Sequence, residues 1–311
     1  MSAQPAQYSL RGTGRMKRRK RVNLAMEIVA TAASAVAVAA LVWLVVSVLI
    51  RGLPALNLDL FTKNQALFGQ AGGGIANAIV GSFVIVAFAT AFAFPVGVLC
   101  AIYVHEFAGA TIRQAVRTTL DVLTGVPSIL VGIFVFSILV AGGKQSALAG
   151  SVALAIIELP LIARGTQEVL ALVPGSLREA SLALGVSRWR TVLSVVLPTS
   201  LSGILTGTML AIARAAGETA PLLVTSSIVA NSTSLDPSKA LNSLPVTIFV
   251  YSESPDPNQH AQAWAAAFIL LVFVLLTNVA ARAFLARGRR KLEGAPARRR
   301  RLRVYHLFTR P

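Results

Sequence analysis

Long apolar runs separated by short polar segments fill most of the chain, and their lengths decide what they can become. A bilayer core takes about 20 helical residues to cross. Six stretches are of that order: Ile28 to Ile50, Ile75 to Val104, Val122 to Gly143, Ser146 to Ala163, Thr191 to Ile228 (interrupted by Arg214 and Glu218), and Ala261 to Ala281. The pattern predicts an all-α polytopic membrane protein with six transmembrane helices. The first run follows a basic segment as a signal peptide would. It is about twice the length of a cleavable apolar region and lacks a convincing cleavage site, so it is expected to remain as a signal anchor. The expected organisation is a basic cytoplasmic extension (1–23), a first transmembrane helix (24–50), an extracytoplasmic loop (51–74), a transmembrane core (75–287) and a basic cytoplasmic tail (288–311).

Composition agrees with that picture: 55% of residues are hydrophobic and 13% charged, with a mean hydropathy of +0.70. A soluble enzyme, a collagen-like chain and a disordered acidic chain are excluded. Cys100, the only cysteine, lies inside an apolar run, so neither an intramolecular disulfide nor a cysteine metal cluster is possible. His105, His260 and His306 are scattered, and neither a metal nor a bound cofactor is expected.

Charge orients the runs. There are 29 Lys and Arg against 12 Asp and Glu, a net +17, and seven cations precede the first run while eleven follow the last, from Arg282 to Arg310. Lys and Arg stay on the cytoplasmic side because moving them across is unfavourable. With the N-terminus inside, inner segments hold 24 cations and outer segments four (Arg51, Lys63, Lys144 and Lys239), leaving Arg214 in the membrane. Both tails are then cytoplasmic in a bacterial inner membrane. The outer 226–260 loop, with Asp236, Glu253 and Asp256, is rich in Pro, Ser and Asn and is expected to be irregular. No aromatic residue interleaves the Arg298 to Arg303 run, so the anionic lipid leaflet is a nearer partner for the tail than nucleic acid.

An ionisable side chain within a span costs roughly 2.5 to 3.5 kcal/mol on insertion scales, so each one asks for a partner or a purpose. Asp121, at the start of its run, is expected at the interface, and Glu158 is open between an interfacial and a functional site. Arg214 and Glu218, four residues apart, would share one helix face and pair in a low dielectric. Around them stand small residues, and Pro221 removes a helix amide. One reading is an ion pair that joins two helices. The other is a substrate pathway in which Arg214 offers positive charge to a passing oxyanion while Glu218 keeps the hold loose. Thr124, Ser128 and Thr219 are weaker candidates as hydroxyl donors, and the Pro127-Ser128 pair also reads simply as a helix-breaking turn.

In the largest inner loop, Ser176 followed three residues later by Glu179 has the form of a capping box, and Gly185 suits the helix end. Leu177, Ala180, Ser181 and Leu184 form a stripe that suits docking on a protein or lying on lipid. Glu179-Ala180-Ser181, then Gly185, then Val195-Val196-Leu197-Pro198, resembles the EAA loop of binding-protein-dependent type I ABC importer permeases, with Ser181 for Ala and Val195 for Ile as mild departures. The resemblance implies a coupling helix near 176–185, with Ser176, Glu179, Ala180 and Gly185 at the contact with an ATPase.

A closer resemblance, from about residue 70 onward, is to the PstA-type phosphate ABC transporter permeases. It is carried by Gly125-Val126-Pro127-Ser128-Ile129, the Val173 to Arg190 stretch, Arg214-Ala215-Ala216-Gly217-Glu218-Thr219-Ala220-Pro221-Leu222-Leu223 and Leu244-Pro245-Val246 with Ala263-Trp264-Ala265. It implies a pore formed with a PstC-like sister permease, a PstB-like ATPase dimer that uses ATP and magnesium, a PstS-like extracytoplasmic phosphate-binding protein, and roles in translocation for Arg214 and Glu218. Sulfate or molybdate would suit the same scheme, and a proton-coupled carrier using Glu158 or Glu218 is the alternative outside it. Gly143-Lys144 is the nearest approach to a Walker A motif, and Gln145 stands where Ser or Thr should bind magnesium. The chain is therefore expected to be a transporter subunit without its own ATPase site.

Overall fold

The structure is a computed structural model that describes residues 14–66, 72–226 and 233–293, with side chains described for 15–66, 72–226 and 233–283. The chain divides into two units, Met1–Arg51 and Gly52–Pro311. The first contains nearly all of α1 (Gly14–Gly52). Because no Gly or Pro interrupts residues 15–51, this helix begins inside the basic segment rather than at the apolar run. Arg15, Lys17 and Arg18 thus form its first turns.

In the second unit every regular element among the described residues is helical. The order is α2 (Leu58–Thr62), α3 (Ala76–Ile102), α4 (Ala110–Gly125), α5 (Ser128–Val135), α6 (Ala147–Ala171), α7 (Gly175–Ala183), α8 (Arg188–Thr191), α9 (Leu197–Ala215), α10 (Ala220–Thr225), α11 (Leu244–Ser252) and α12 (Pro257–Glu293). Single π-helical turns extend α3 at Tyr103–Phe107 and α5 at Phe136–Val140, and a third, Val192–Val196, joins α8 to α9. Five of the described helical segments are long and apolar enough to cross a membrane, and a sixth span exists if α4 and α5, bent by 96°, count together. The all-α polytopic expectation therefore holds, with five to six spans among the described residues. The bend has a local cause: Pro127 lacks an amide and forces the residue before it, Val126, to an extended ψ of 129°.

Two boundaries differ from the hydropathy reading. The fifth apolar run does not continue as one helix to Ile228; α9 stops at Ala215 and α10 covers only six residues, while residues 227–232 lie outside the described ones. The segment expected to be irregular contains α11, which buries Leu244, Val246 and Tyr251. Its composition had hidden a short apolar helix behind polar flanks. The tail beyond residue 293 and residues 1–13 lie outside the described residues.

The core sits where α3 crosses α6, with contributions from α9, α10 and α11: Ile85, Ala89, Ala93, Leu154, Ile162, Leu222 and Val246 are all 2% exposed or less. Small residues let these helix backbones approach, which is how association gains packing contacts in lipid. The N-terminus of α6 would leave amides unpaired. Ser146 accepts from the Ala149 amide at 3.1 Å, and the chain between α10 and α11 returns so that the Lys239 and Pro237 carbonyls accept from the Ala147 and Leu148 amides, both at 2.8 Å. In that returning segment Asp236 accepts from the Ser238 hydroxyl and amide, which hold its carboxyl below the usual range. The opposite end of α6, about 37 Å away at 1.5 Å per residue, faces α7. Residues 237–239 and α7 thus mark opposite ends of a membrane-length helix.

Candidate functional site

The bend between α4 and α5 faces the break between α9 and α10, and charge gathers there. Pro221, in the first turn of α10, packs against Gly132 of α5 so closely that a β-carbon at Gly132 would lie 2.6 Å from the Pro221 Cα. Between α9 and α10 the chain leaves the helix: Gly217 and Glu218 donate to the Arg214 and Ala215 carbonyls, both at 3.0 Å. Arg214 lies in the last turn of α9 and Glu218 in the connector, so the two do not share a helix face as their spacing suggested. Pro221 stands in the first turn of α10, where its missing amide costs no helical bond. The Arg214 Nε and Glu218 Oε1 lie 3.9 Å apart, with the Arg214 side chain 62% exposed and that of Glu218 20%. The guanidinium is loosely paired and largely exposed.

A cavity of about 260 Å³ opens at this point, lined by Thr124, Pro127, Ser128, Leu161, Arg214 and Glu218 among others. It has room for a small solvated anion. A second cavity, about 630 Å³, shares Thr124, Leu161 and Arg214 with it and extends along α6 past Arg164 to Glu168 and Val169. Ile157 and Leu161 in the wall of the first cavity lie near the middle of α6, and Val169 near its α7 end. The two cavities therefore run in series from mid-span toward α7. Thr124, Ser128, Arg214 and Glu218, picked out from separate segments, come together; Thr219 is half-buried and lines neither cavity. The Thr124 hydroxyl donates to the Asp121 carbonyl at 2.7 Å.

Asp121 stands near the α5 end of α4, where it pairs with Arg164 of α6 in the wall of the larger cavity. No periodicity links residues so far apart, which is why the pair escaped notice in the sequence. Glu158 is not interfacial: it is wholly buried, accepts from the Thr90 hydroxyl at 3.1 Å through Oε2, and its Oε1 has no hydrogen-bond partner.

A helix does form in the expected segment, α7, but not by the expected cap. Pro174 occupies the N-cap position, no side chain caps the helix, and Ser176 is exposed within the first turn. A proline ahead of the helix presets the chain direction, which leaves the Ser-Glu pair free. Gly185 follows the helix at φ +78°, where a side chain would be strained. Glu179 and Ala180 are exposed, as are Leu177, Leu182 and Leu184, and Ser181 alone in α7 is buried. The outward face of α7 is thus apolar with one carboxylate. Among the described residues no group of three His, Cys, Asp or Glu could hold a metal ion.

Residues 93–290 match the family described as binding-protein-dependent transport system inner membrane component. The chain is 42% identical over 249 residues to the phosphate transport system permease protein PstA of Yersinia pestis, covering 79% of this chain and 84% of that one. It is 39% identical to the protein of the same name from Haemophilus influenzae, covering 78% and 86%, and 38% identical to PstA 1 of Mycobacterium tuberculosis, covering 83% and 86%. Among solved structures, inward-facing forms of the MetNI methionine ABC transporter match with TM-scores of 0.51 and 0.53, each at 21% identity over 68% of this chain and over 94% and 92% of those chains. That likeness concerns the fold.

Proposed function

Since this chain belongs to the family of inner membrane components of binding-protein-dependent transport systems, we infer that it is a permease subunit of an ATP-driven phosphate importer. It is a transporter subunit whose ATPase is a separate partner. Within that system it forms the translocation pore with a sister permease, receives phosphate from an extracytoplasmic binding protein, and couples to a cytoplasmic ATPase dimer that uses ATP and magnesium. Both termini and α7 face the cytoplasm.

One observation carries the assignment of the pathway: at mid-span, a loosely paired guanidinium and two hydroxyl-bearing residues line one cavity that continues toward α7. Phosphate is an oxyanion that accepts several hydrogen bonds, and a guanidinium bonds it through a fork of donors. Arg214 supplies the fixed positive charge. Glu218, 3.9 Å away, competes for that guanidinium and keeps the anion from being trapped. Ser128 adds a hydroxyl donor, and Thr124 adds one when its hydroxyl turns from the Asp121 carbonyl; Thr219, outside both cavities, is a donor only on the far side of the connector. ATP-driven closure of the ATPase dimer moves α7, where Ser176, Glu179, Ala180 and Gly185 form the contact, and the membrane helices follow as rigid bodies.

The test is phosphate uptake into vesicles holding the reconstituted complex, with each partner omitted in turn and sulfate and molybdate as competitors. Uptake requires every partner and ATP, and excess sulfate leaves it intact. Arg214→Gln lowers uptake about 10- to 100-fold, the loss of one charge-assisted hydrogen bond of about 1.5 to 3 kcal/mol, while the complex still assembles. Uptake that follows a proton gradient and ignores the ATPase would overturn the reading.

A further inference from the structure

Polar contacts stand out in the attachment of α7 to the rest of the chain. Ser181 is its only buried residue, and Leu177 and Leu182 stay 42% and 48% exposed, so no apolar side chain of this helix is fully withdrawn. Ser181 and Thr191 share a hydrogen bond at 2.9 Å, which ties α7 to α8. Its side-chain connection to α3 and α6 runs through Arg178, on the inward side of α7, whose side chain is 21% exposed.

Arg178 bonds with all three guanidinium nitrogens. Nε and Nη2 reach Glu106 Oε1 at 3.1 and 2.8 Å, and Nε also approaches Oε2 at 3.3 Å. Nη1 donates to the Val173 carbonyl at 2.7 Å and Nη2 to the Leu170 carbonyl at 3.0 Å. Leu170 is in the last turn of α6 and Val173 just beyond it, where the helix dipole is negative and carbonyls have room for a second donor; the Leu170 carbonyl also accepts from the Val173 amide at 3.3 Å. Glu106 belongs to the π-helical turn that extends α3, and its side chain is 7% exposed. One planar cation therefore joins three elements: the peripheral helix, the end of α6 and the end of α3.

The surroundings hold Glu106 in place rather than offer it another role. Arg113 of α4 donates to the Val104 and Ala108 carbonyls at either side of Glu106, at 3.2 and 3.1 Å. Arg188 stacks over the Phe107 ring at 5.6 Å, and His105 Nε2 lies 3.9 Å from Glu106 Oε1. A buried carboxylate on a backbone turn held from both sides is a rigid anchor for the fork of Arg178.

We propose that Arg178 is a positioning residue of transport: with Glu106 it forms the strut through which movement of α7 reaches α3 and α6. α6 lines both cavities, through Ile157, Leu161, Arg164 and Glu168, so a displacement at its α7 end is delivered to the Arg214 site. Without the fork, α7 still meets the ATPase but its motion is lost before it reaches α6. This rests on reading α7 as the ATPase-docking helix of a phosphate importer.

The experiment uses the full reconstituted complex and reads three quantities: ATPase copurifying with the permease, phosphate-stimulated ATP hydrolysis, and phosphate taken up per ATP hydrolysed. The unaltered complex must show stimulated hydrolysis and uptake; if it does not, the importer reading fails whatever the variants do. Arg178→Lys keeps the charge but loses the fork, and Glu106→Gln keeps the volume but loses the charge. Both are expected to copurify the ATPase in the unaltered ratio while phosphate per ATP falls about tenfold, a coupling loss of ordinary size. Unchanged phosphate per ATP in both variants overturns the proposal. So does a loss of copurifying ATPase that accounts for all the lost uptake at an unchanged ratio, because Arg178 would then only shape the docking surface.

Discussion

Charges placed in an apolar chain point to chemistry only when their partners are known, and here the partners sort them. Glu158 is wholly buried with one hydroxyl partner, Thr90, and one unpartnered oxygen. A buried polar group stripped of its donor is costly, whereas an apolar replacement removes both the group and its need. Thr90→Val is therefore expected to destabilise the detergent-solubilised protein by about 1 to 3 kcal/mol, and adding Glu158→Leu recovers most of that loss. A thermal-unfolding comparison of the single and double variants checks it; a double variant no more stable than the single would show that Thr90 acts through something else. Arg214 differs, because its side chain is 62% exposed and its acidic neighbour sits at 3.9 Å, so its substitution shows in uptake far more than in stability. Both residues stood out in the sequence through their insertion cost. Arg178 and Glu106 did not, since both fall in polar inner segments where charge is unremarked and 72 positions separate them.

Among the elements, the two breaks are as telling as the helices. Pro127 bends the α4–α5 span and Pro221 starts α10 after the break, and the facing corners make the cavity. Their contact depends on Gly132, whose missing side chain leaves room for Pro221. Gly132→Ala is expected to cost about 1 to 3 kcal/mol as overpacking and to lower uptake, while Gly125→Ala, with nothing within 4 Å of its new β-carbon, stays within about 0.5 kcal/mol. Unfolding midpoints of the two purified variants decide this, and equal effects would argue against the close contact. At α7 the left-handed Gly185 ends the helix at φ +78°. Gly185→Ala brings strain of about 1 kcal/mol or more, read as weaker retention of the ATPase on the purified permease.

For the whole molecule, the length of α6 separates two faces. Lys239 lies by its first turn and Leu184 just after α7 at the other end, both side chains exposed. With Cys100→Ser as background, Leu184→Cys is expected to react with a membrane-impermeant maleimide only in inverted vesicles, and Lys239→Cys only in intact cells with a permeable outer layer. Labelling of Leu184→Cys from outside would reverse the orientation that the cation distribution implies. The same arrangement puts Arg214 near mid-span and α7 at one end, which is the geometry that the proposed importer, driven from the cytoplasm, requires.

Read alone, the sequence determined the membrane class, the approximate position of each span, the absence of a nucleotide site and the two segments worth watching, 176–185 and 214–221. Those properties follow from sums over neighbouring residues: the transfer energy of an apolar run, the cost of a charge within it, the spacing of a short motif. The tertiary structure decided the rest. It turned one span into a corner, made a helix of 244–252, moved Glu158 from a possible interface to full burial, withheld the capping box from Ser176, and brought Arg178 to Glu106 and Asp121 to Arg164. Each of these depends on which distant surfaces meet in three dimensions, and hydrophobic periodicity carries no record of the partner.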